Sequence, residues 1–348
     1  MYGYESRLVS SLTAFEQKQV EALLAPYGLV FDGAPERTAL VVDCDEKIAA
    51  TASLEGCVVK MVAADPELQG EGLADEAVLR VRQYALEKGL QHLFLYTKPA
   101  MAEKFRLMGF RELARTGQAA LLECGRPSAD DFKKELAAQR FSSGADFGCV
   151  VMNCNPFTLG HRYLVEQALQ ACEKLYVIVV QEDASEFPFA DRLRLVKEGT
   201  CDLARVLVLA SGGYAVSRAT FPSYFLRDRC DEAVASVQTE LDLTLFAGLF
   251  VPPLGIRKRF VGTEPFSRTT ALYNEQMKHL LPPLGVEVQE IARTVGGGDT
   301  PISASRVRKA VAEGNDALLR QLLPQTTLSY LDSPGGRSVA EKLRGASK

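Results

Sequence analysis

The sequence holds no uninterrupted apolar run of the ~18 residues that a membrane-spanning helix needs, which excludes a helical span. Histidine is scarce, with only His92, His161 and His279, and none of the eight cysteines stands in CxxC spacing. That combination argues against a structural zinc centre and reads instead as thiols packed in a reducing compartment. Positive charge is not in excess: 40 Lys and Arg face 44 Asp and Glu, for a net charge of −4. A basic protein that coats nucleic acid is thereby excluded. The N-terminal stretch MYGYESRLVSSLTAFEQKQ lacks the basic, apolar and small-residue regions of a secretion signal, so the expected location is cytoplasmic. What remains is ordinary globular material: 348 residues, 47% hydrophobic and 24% charged, enough for two domains that each bury a core.

The patterning changes character along the chain. Val20, Leu23, Leu24 and Tyr27 follow helical spacing, which predicts an amphipathic helix near 14–26. ALVVD (39–43), KIAATASL (47–54) and CVVKMVA (57–63) are short β-type runs joined by polar links, as in a hairpin-connected meander. A helix follows Gly72, with Ala77, Val78, Val81 and Ala85 on one face and Gly89 as its stop. HLFLY (92–96) and 119–123 read as further strands, and 100–108 as a short helix. The polar stretch 129–145 reads as a linker, dividing a mixed α/β domain at 1–128 from a second domain at 146–331. In the second domain the strands FGCVVMN, KLYVIVVQ, RVLVLA, KRFVG and VEVQEI alternate with helical segments. Near-continuous apolar strands in that order predict a parallel, doubly wound sheet covered on both faces. The stretch 332–348 reads as a polar, frayed tail.

The sharpest local feature is VVMNCNPFTLGHRYLVEQA (150–168): a strand, a turn with Pro156 and Gly160, then a helix opening near His161. A helix start after a parallel strand aims free backbone N–H groups and a positive dipole end at the loop, which makes an anion site. His161, in the first turn, is placed to donate to a phosphate oxygen. A second helix start stands at PISASRVRKAVAEG (301–314), with Ser303 as N-cap and Ser305, Arg306, Arg308 and Lys309 on its first two turns. Each alone is also what an ordinary capped helix looks like.

Together they carry a resemblance. TLGH (158–161) resembles the T/H-x-G-H signature of the nucleotidylyltransferase superfamily, and ISASRVR (302–308) resembles its ISxTxxR signature, in the same order. Thr158 holds the position where many members carry His, and Ser305 keeps the hydroxyl of the usual Thr. NPFTLGHRYLVEQA, FPFADRLRLVKEGTCDL (187–203), SGGYAVSRATFPSYFL (211–226) and RFVGTEPFSRTTALYNEQM (259–277) resemble the citrate lyase ligase family, and the likeness covers most of the chain. The resemblance implies a Rossmann-like domain that activates acetate with ATP as acetyl adenylate. It also implies transfer of the acetyl group to the prosthetic-group thiol of the citrate lyase acyl carrier subunit, with release of AMP and diphosphate.

By the same resemblance His161, Thr158, Ser303, Ser305 and Arg308 are the candidate catalytic residues. Asn155, Pro156, Phe157, Gly160, Gly262 and Glu264 are candidate ATP contacts, and Mg²⁺ is expected to bridge phosphates with few direct protein ligands. Glu264 also fits a plainer role as a carboxylate at a helix start. Arg192 reads either as a phosphate ligand or as a surface ion pair, and Arg257, Lys258 and Arg259 as a basic run for a phosphorylated carrier arm or a solvated patch. An enzyme joining AMP to a phosphate acceptor to make a dinucleotide coenzyme fits the phosphate loop equally well. A non-catalytic scaffold that binds ATP and carrier is a third alternative.

The first domain has a likeness of its own. ADPELQGEGLADEAV (64–78) resembles the Q/R-x-x-G-x-G/A loop of the GNAT acetyltransferase fold, and YTKPAMAEKFRLMGF (96–110) its later helix and GF segment. Gln69, Gly70, Glu71, Gly72, Leu73 and Ala74 are therefore the candidate residues for a pantetheine or coenzyme A-type ligand. Many active members carry, five residues before the final Phe, a Tyr that protonates the leaving thiolate. Here that position is Phe105, which has no exchangeable proton. The expected role of this domain is to hold the carrier's arm rather than to acetylate amines.

Overall fold

The two kinds of apolar pattern build two kinds of sheet. A computed structural model describes residues 3–33, 35–181, 185–215, 231–264, 267–294 and 301–346. The chain divides into two units, Met1–Glu135 with Val216–Gly248, and Leu136–Ala215 with Leu249–Lys348.

The first unit runs β1 (Tyr4–Val9), α1 (Ala14–Leu24), β2 (Arg37–Asp43), β3 (Ile48–Glu55), β4 (Val58–Ala64), α2 (Leu73–Glu87), β5 (His92–Thr97), α3 (Ala102–Leu107), β6 (Arg111–Arg115), β7 (Ala120–Gly125) and α4 (Ala129–Ala138). Its seven-stranded sheet has the order β1-β2-β3-β4-β5-β7-β6. Every neighbouring pair is antiparallel except β4 and β5. Those two register only at Val58↔Phe94 and Val59↔Leu95, and beyond that point β4 and β5 have no ladder between them. Helix α2 packs Ala77, Val78, Val81 and Ala85 onto the sheet, into a core with Val41, Ala52 and Leu95. Gly89, at φ +78°, stops it in the left-handed conformation that glycine adopts without strain. A reciprocal cap starts α1: Thr13 Oγ1 accepts the Glu16 N–H at 3.2 Å, and Glu16 Oε2 accepts the Thr13 N–H at 2.7 Å. This is the mixed α/β architecture that the acetyltransferase likeness implies. The sequence reading omitted β1 and β6, the two edges of the sheet, and the expected linker 129–145 opens as the helix α4.

The second unit runs β8 (Phe147–Met152), α5 (Leu159–Gln170), β9 (Lys174–Val179), α6 (Phe189–Gly199) and β10 (Val206–Ala210). The helix α7 (Asp231–Leu249) follows in sequence, most of it grouped with the first unit, and the second unit resumes at α8 (Val251–Leu254). It continues with β11 (Ile256–Gly262), α9 (Arg268–Leu280), β12 (Glu287–Ile291), α10 (Ala304–Glu313), α11 (Asp316–Leu322), α12 (Gln325–Leu331) and α13 (Pro334–Ala346). All five strands are parallel, in the order β10-β9-β8-β11-β12. That is the doubly wound, Rossmann-like sheet expected. The winding reverses between β8 and β11, where the carboxyl ends of the strands leave a crevice for ligands. Val150 and Val177 of the sheet pack with Val165 and Ala168 of α5 and with Leu195 and Val196 of α6. Each fully buried Val or Leu among them contributes about 1.5–3 kcal/mol.

Residues 334–346 form α13 rather than the frayed tail expected at 332–348. Val339 is buried and, with Ala340 and Leu343, gives α13 an apolar stripe that packs back onto the second unit. No helix among the described residues is long and apolar enough to cross a membrane.

Candidate functional site

Strand β8 ends at Met152, and the chain passes through 153–158 before α5 starts. Thr158 caps α5: its Oγ1 accepts the His161 N–H at 3.3 Å, and His161 Nδ1 accepts the Thr158 N–H at 3.1 Å. The Thr158 hydroxyl lies 2.9 Å from the same nitrogen. Histidine thus fills the place that Glu or Gln takes in a capping box. A nitrogen that accepts from a backbone N–H carries no proton, so the proton of the neutral ring sits on Nε2. Burial, reinforced by the charge of Arg293, pushes the His161 pKa down to about 4. At neutral pH the ring is therefore an uncharged donor through Nε2–H.

The two glycine- and serine-bearing motifs meet. Gly160 lies so close to Ile302 that a Cβ there would stand 3.2 Å from the Ile302 Cβ and 3.2 Å from its carbonyl oxygen. Glycine at this position lets the N-terminal ends of α5 and α10 approach without a tight contact, which a Cβ would create. Ser303 caps α10, its Oγ accepting the Arg306 N–H at 3.2 Å. Arg308 reaches from α10 into the loop and donates to the Asn155 carbonyl at 2.7 Å. Its Nε lies 3.4 Å from Glu186, and its Nη2 lies 3.4 Å from the Ser305 hydroxyl. Asn155 is held on both ends of its amide, donating to Glu186 and accepting the Phe187 N–H at 3.0 Å. The result is two helix N-termini and a guanidinium at one rim.

Several expected contacts have other places. Phe157 buries its ring completely and stacks on His161, with centroids 5.9 Å apart, so it supports the imidazole from behind. Arg192 is neither a phosphate ligand nor a surface ion pair. It is fully buried and donates to the carbonyls of Phe187 at 3.0 Å, Asn153 at 2.6 Å and Val180 at 2.8 Å, pinning three backbone segments together. The basic run at 257–259 is not a patch: it lies in β11, and its three side chains have separate environments. Lys258 pairs with Asp146 at 2.7 Å, Arg259 is buried and donates to the Tyr273 hydroxyl at 3.1 Å, and only Arg257 is exposed. Cys154 is buried, and burial raises its thiol pKa, so the thiolate is suppressed. Pro156 stays within the buried loop.

Beyond β11, the Gly262 carbonyl accepts from the Asn274 amide at 3.0 Å. Glu264 accepts the Ser267 N–H at 3.1 Å and pairs with Arg293. Arg293 itself escaped the sequence reading. It lies two residues past the end of β12, at the carboxyl edge of the sheet, a placement that depends on the pairing of β12 with β11. Among the described residues no three His, Cys, Asp or Glu side chains cluster to hold a metal ion.

The first unit carries a different kind of site. Where β4 and β5 part, a cavity of about 610 Å³ opens, lined by Gln69, Gly70, Gly72, Leu73, Ala74 and Phe105 among others. Glu71 is exposed and is not part of that lining. Gly72 caps α2 at φ +74° and presents the free N–H groups of the helix start to the cavity. Tyr27 closes one side: its hydroxyl donates to the Ala64 carbonyl at 2.6 Å and accepts from the Gln69 amide at 3.2 Å. Lys98 and Lys104 add two cations to the wall.

The comparisons with known proteins fall on both units. The family description "Citrate lyase ligase C-terminal domain" matches residues 147–331. A curated citrate (pro-3S)-lyase ligase of Escherichia coli (strain K12) is 40% identical over 302 residues, 84% of this chain and 84% of that protein. The citrate (pro-3S)-lyase ligase of Haemophilus influenzae is 38% identical over 333 residues, 92% of this chain and 97% of its own length. A solved acyl-CoA N-acyltransferase of Pseudomonas aeruginosa overlays 34% of this chain and 98% of its own, at 15% identity and a TM-score of 0.30.

Proposed function

The chain belongs to the citrate lyase ligase family, and we propose that it activates acetate with ATP and passes the acetyl group to the prosthetic-group thiol of the citrate lyase acyl carrier subunit. The observation that carries the adenylylation step is the 2.7 Å hydrogen bond from Arg308 to the Asn155 carbonyl, which ties the second motif to the phosphate loop. In the first half-reaction an acetate oxygen bonds to the α-phosphorus of ATP while the bond to the β-phosphate oxygen breaks. The electron pair leaves with diphosphate, and no proton has to move. The work for the protein is alignment and the neutralisation of charge.

His161 donates through Nε2–H to the oxygens where charge grows. Thr158 orients the ring rather than binding phosphate, because its hydroxyl and its N–H are both engaged with His161. Ser303, Ser305 and Arg308, with the free N–H groups of α10, hold the departing diphosphate. Gly160 and the 155–157 backbone bring the chain close to the nucleotide, and Gly262 with Glu264 borders it on the β11 side. Magnesium bound with the triphosphate would supply screening of its negative charge, beside the donors of Ser303, Ser305 and Arg308.

In the second half-reaction the carrier thiol gives up its proton to solvent and its sulfur bonds to the acetyl carbonyl carbon, while the bond from that carbon to the phosphate oxygen breaks and AMP leaves with the electron pair. The cavity of the first unit takes the pantetheine arm of the carrier. Gln69, Gly70, Gly72, Leu73 and Ala74 wall it, while Phe105 supplies bulk and no proton. The proposal places the reaction in the cytoplasm, where ATP is available. The test is AMP release with ATP, acetate and deacetylated citrate lyase, leaving out each component in turn. AMP that forms only with all three supports the reading. AMP joined into a stable dinucleotide, or ATP bound without turnover, would sink it.

A further inference from the structure

Arg293 is anchored along one edge of its guanidinium, and among the described residues the other edge has no hydrogen-bond partner. Its Nε donates to the Thr263 carbonyl at 2.6 Å, and its Nη2 pairs with the Glu264 carboxylate. Its own backbone N–H donates to the Thr263 hydroxyl at 3.2 Å. Nη1 makes no hydrogen bond among the described residues, although the side chain is only 27% exposed. The Glu264 carboxylate that fixes the guanidinium is itself 8% exposed and is held by the Ser267 N–H at 3.1 Å. Arg293 packs over the end of β11, with its Cγ and Nε each 3.8 Å from where a Cβ on Gly262 would stand. Strand β11 is the immediate neighbour of β8, whose end leads into the phosphate loop. The guanidinium thus lies at the switch point of the sheet, on the side away from β9 and β10.

We infer that Arg293 is a further phosphate-binding catalytic residue of the adenylylation site, with Glu264 as the positioning residue that holds it. The inference rests on the ATP-dependent reading above. A guanidinium locked along its Nε–Nη2 edge keeps the Nη1 donors aimed in a fixed direction. That suits it to the non-bridging oxygens of a nucleoside triphosphate. The buried carboxylate keeps Arg293 from swinging into solvent. His161 feels that charge, which is one reason the imidazole stays neutral. The labour is divided: Arg293 brings a permanent positive charge and His161 a neutral directional donor. Because Arg293 is fixed before ATP binds, its alignment requires no rearrangement as charge moves onto the diphosphate.

The test is acetate-dependent exchange of labelled diphosphate into ATP, measured on the full chain. Wild type must first show this exchange, and its absence would remove the adenylylation reading itself rather than this inference. Arg293→Gln is expected to slow exchange by about 10²–10³-fold, the loss typical of one transition-state donor. Arg293→Lys is expected to recover about tenfold of that, since it keeps the charge but not the fork. Glu264→Gln is expected to raise the KM for ATP with a smaller loss of kcat, because the cation remains but is no longer aimed. The melting temperature separates binding from folding. Exchange by Arg293→Gln within about threefold of wild type would overturn the inference. So would equal losses in the Lys and Gln variants that follow a drop in melting temperature.

Discussion

The two ligand-facing regions are built by opposite means. In the first unit a sheet comes apart: β4 and β5 share two register pairs and then part, and the gap becomes a cavity with apolar walls and a glycine-rich helix start at one end. In the second unit all five strands pair in one parallel sheet. A closed parallel sheet ends in loops, and the site is an assembly of charges and helix ends on its rim. The first arrangement selects by shape and length, as suits a long flexible arm. The second concentrates donors at a point, as suits a reaction in which charge moves between oxygens. Phe105, buried against Phe110 at 6.3 Å between centroids, offers the cavity no proton. His161 and Arg308 stand at the rim of the second unit. The proposed function therefore gives chemistry to the second unit and holding to the first.

The sharpest way to break that division is His161→Ala. Acetate-dependent diphosphate exchange should fall about 10²–10³-fold. Loss of the reciprocal cap with Thr158 should cost only about 1 kcal/mol of stability. Exchange near the wild-type rate, with acetyl transfer also intact, would return catalysis to the first unit.

Local signals made much of this legible. Thr158 and His161 stand at the N-cap and three residues on, as Ser303 and Arg306 do, and such caps are written in sequence spacing. The meander of β2, β3 and β4 and the parallel strands of the second unit were readable because their apolar runs are long. Strands β1 and β6 were not, because edge strands are half solvated and lose the period-two alternation. The stripe on α13 was too sparse to stand out from a polar tail. Arg192 and Arg293 could be placed only with long-range knowledge. One needs the packing of α6 against the phosphate loop, the other the pairing of β12 with β11. Charge alone says nothing about which arginine faces a carbonyl, a carboxylate or open space.

A smaller effect probes the first unit alone. Gly72 sits at φ +74° with nothing within 4 Å of where a Cβ would stand. Gly72→Ala therefore meets no clash and only backbone strain, about 1–2 kcal/mol. The expected outcome is a lower melting temperature and a several-fold higher KM for the carrier, because the helix-start N–H groups lose their aim. Diphosphate exchange is set by the other rim and should stay near wild type. If exchange and carrier transfer fell together, the two regions would not be doing separate work.

The smallest effect lies in proton binding at His161. The imidazole pKa is near 4, below the ordinary value of 6.5. The unfolded chain therefore takes up a proton between about pH 6.5 and 4 that the folded chain refuses. By linkage, stability is full above about pH 6.5 and falls as pH drops through that window. Titration of the His161 ring by NMR should show it neutral at pH 6, with its proton on Nε2. Diphosphate exchange should show no ionisation from this ring above about pH 5. In Arg293→Gln the midpoint should move upward, but only part of the way to 6.5, because burial is the larger cause and remains. A wild-type midpoint near 6.5 would mean a charged donor at neutral pH. The contrast between a neutral histidine and a permanently charged arginine on the same rim would then fail.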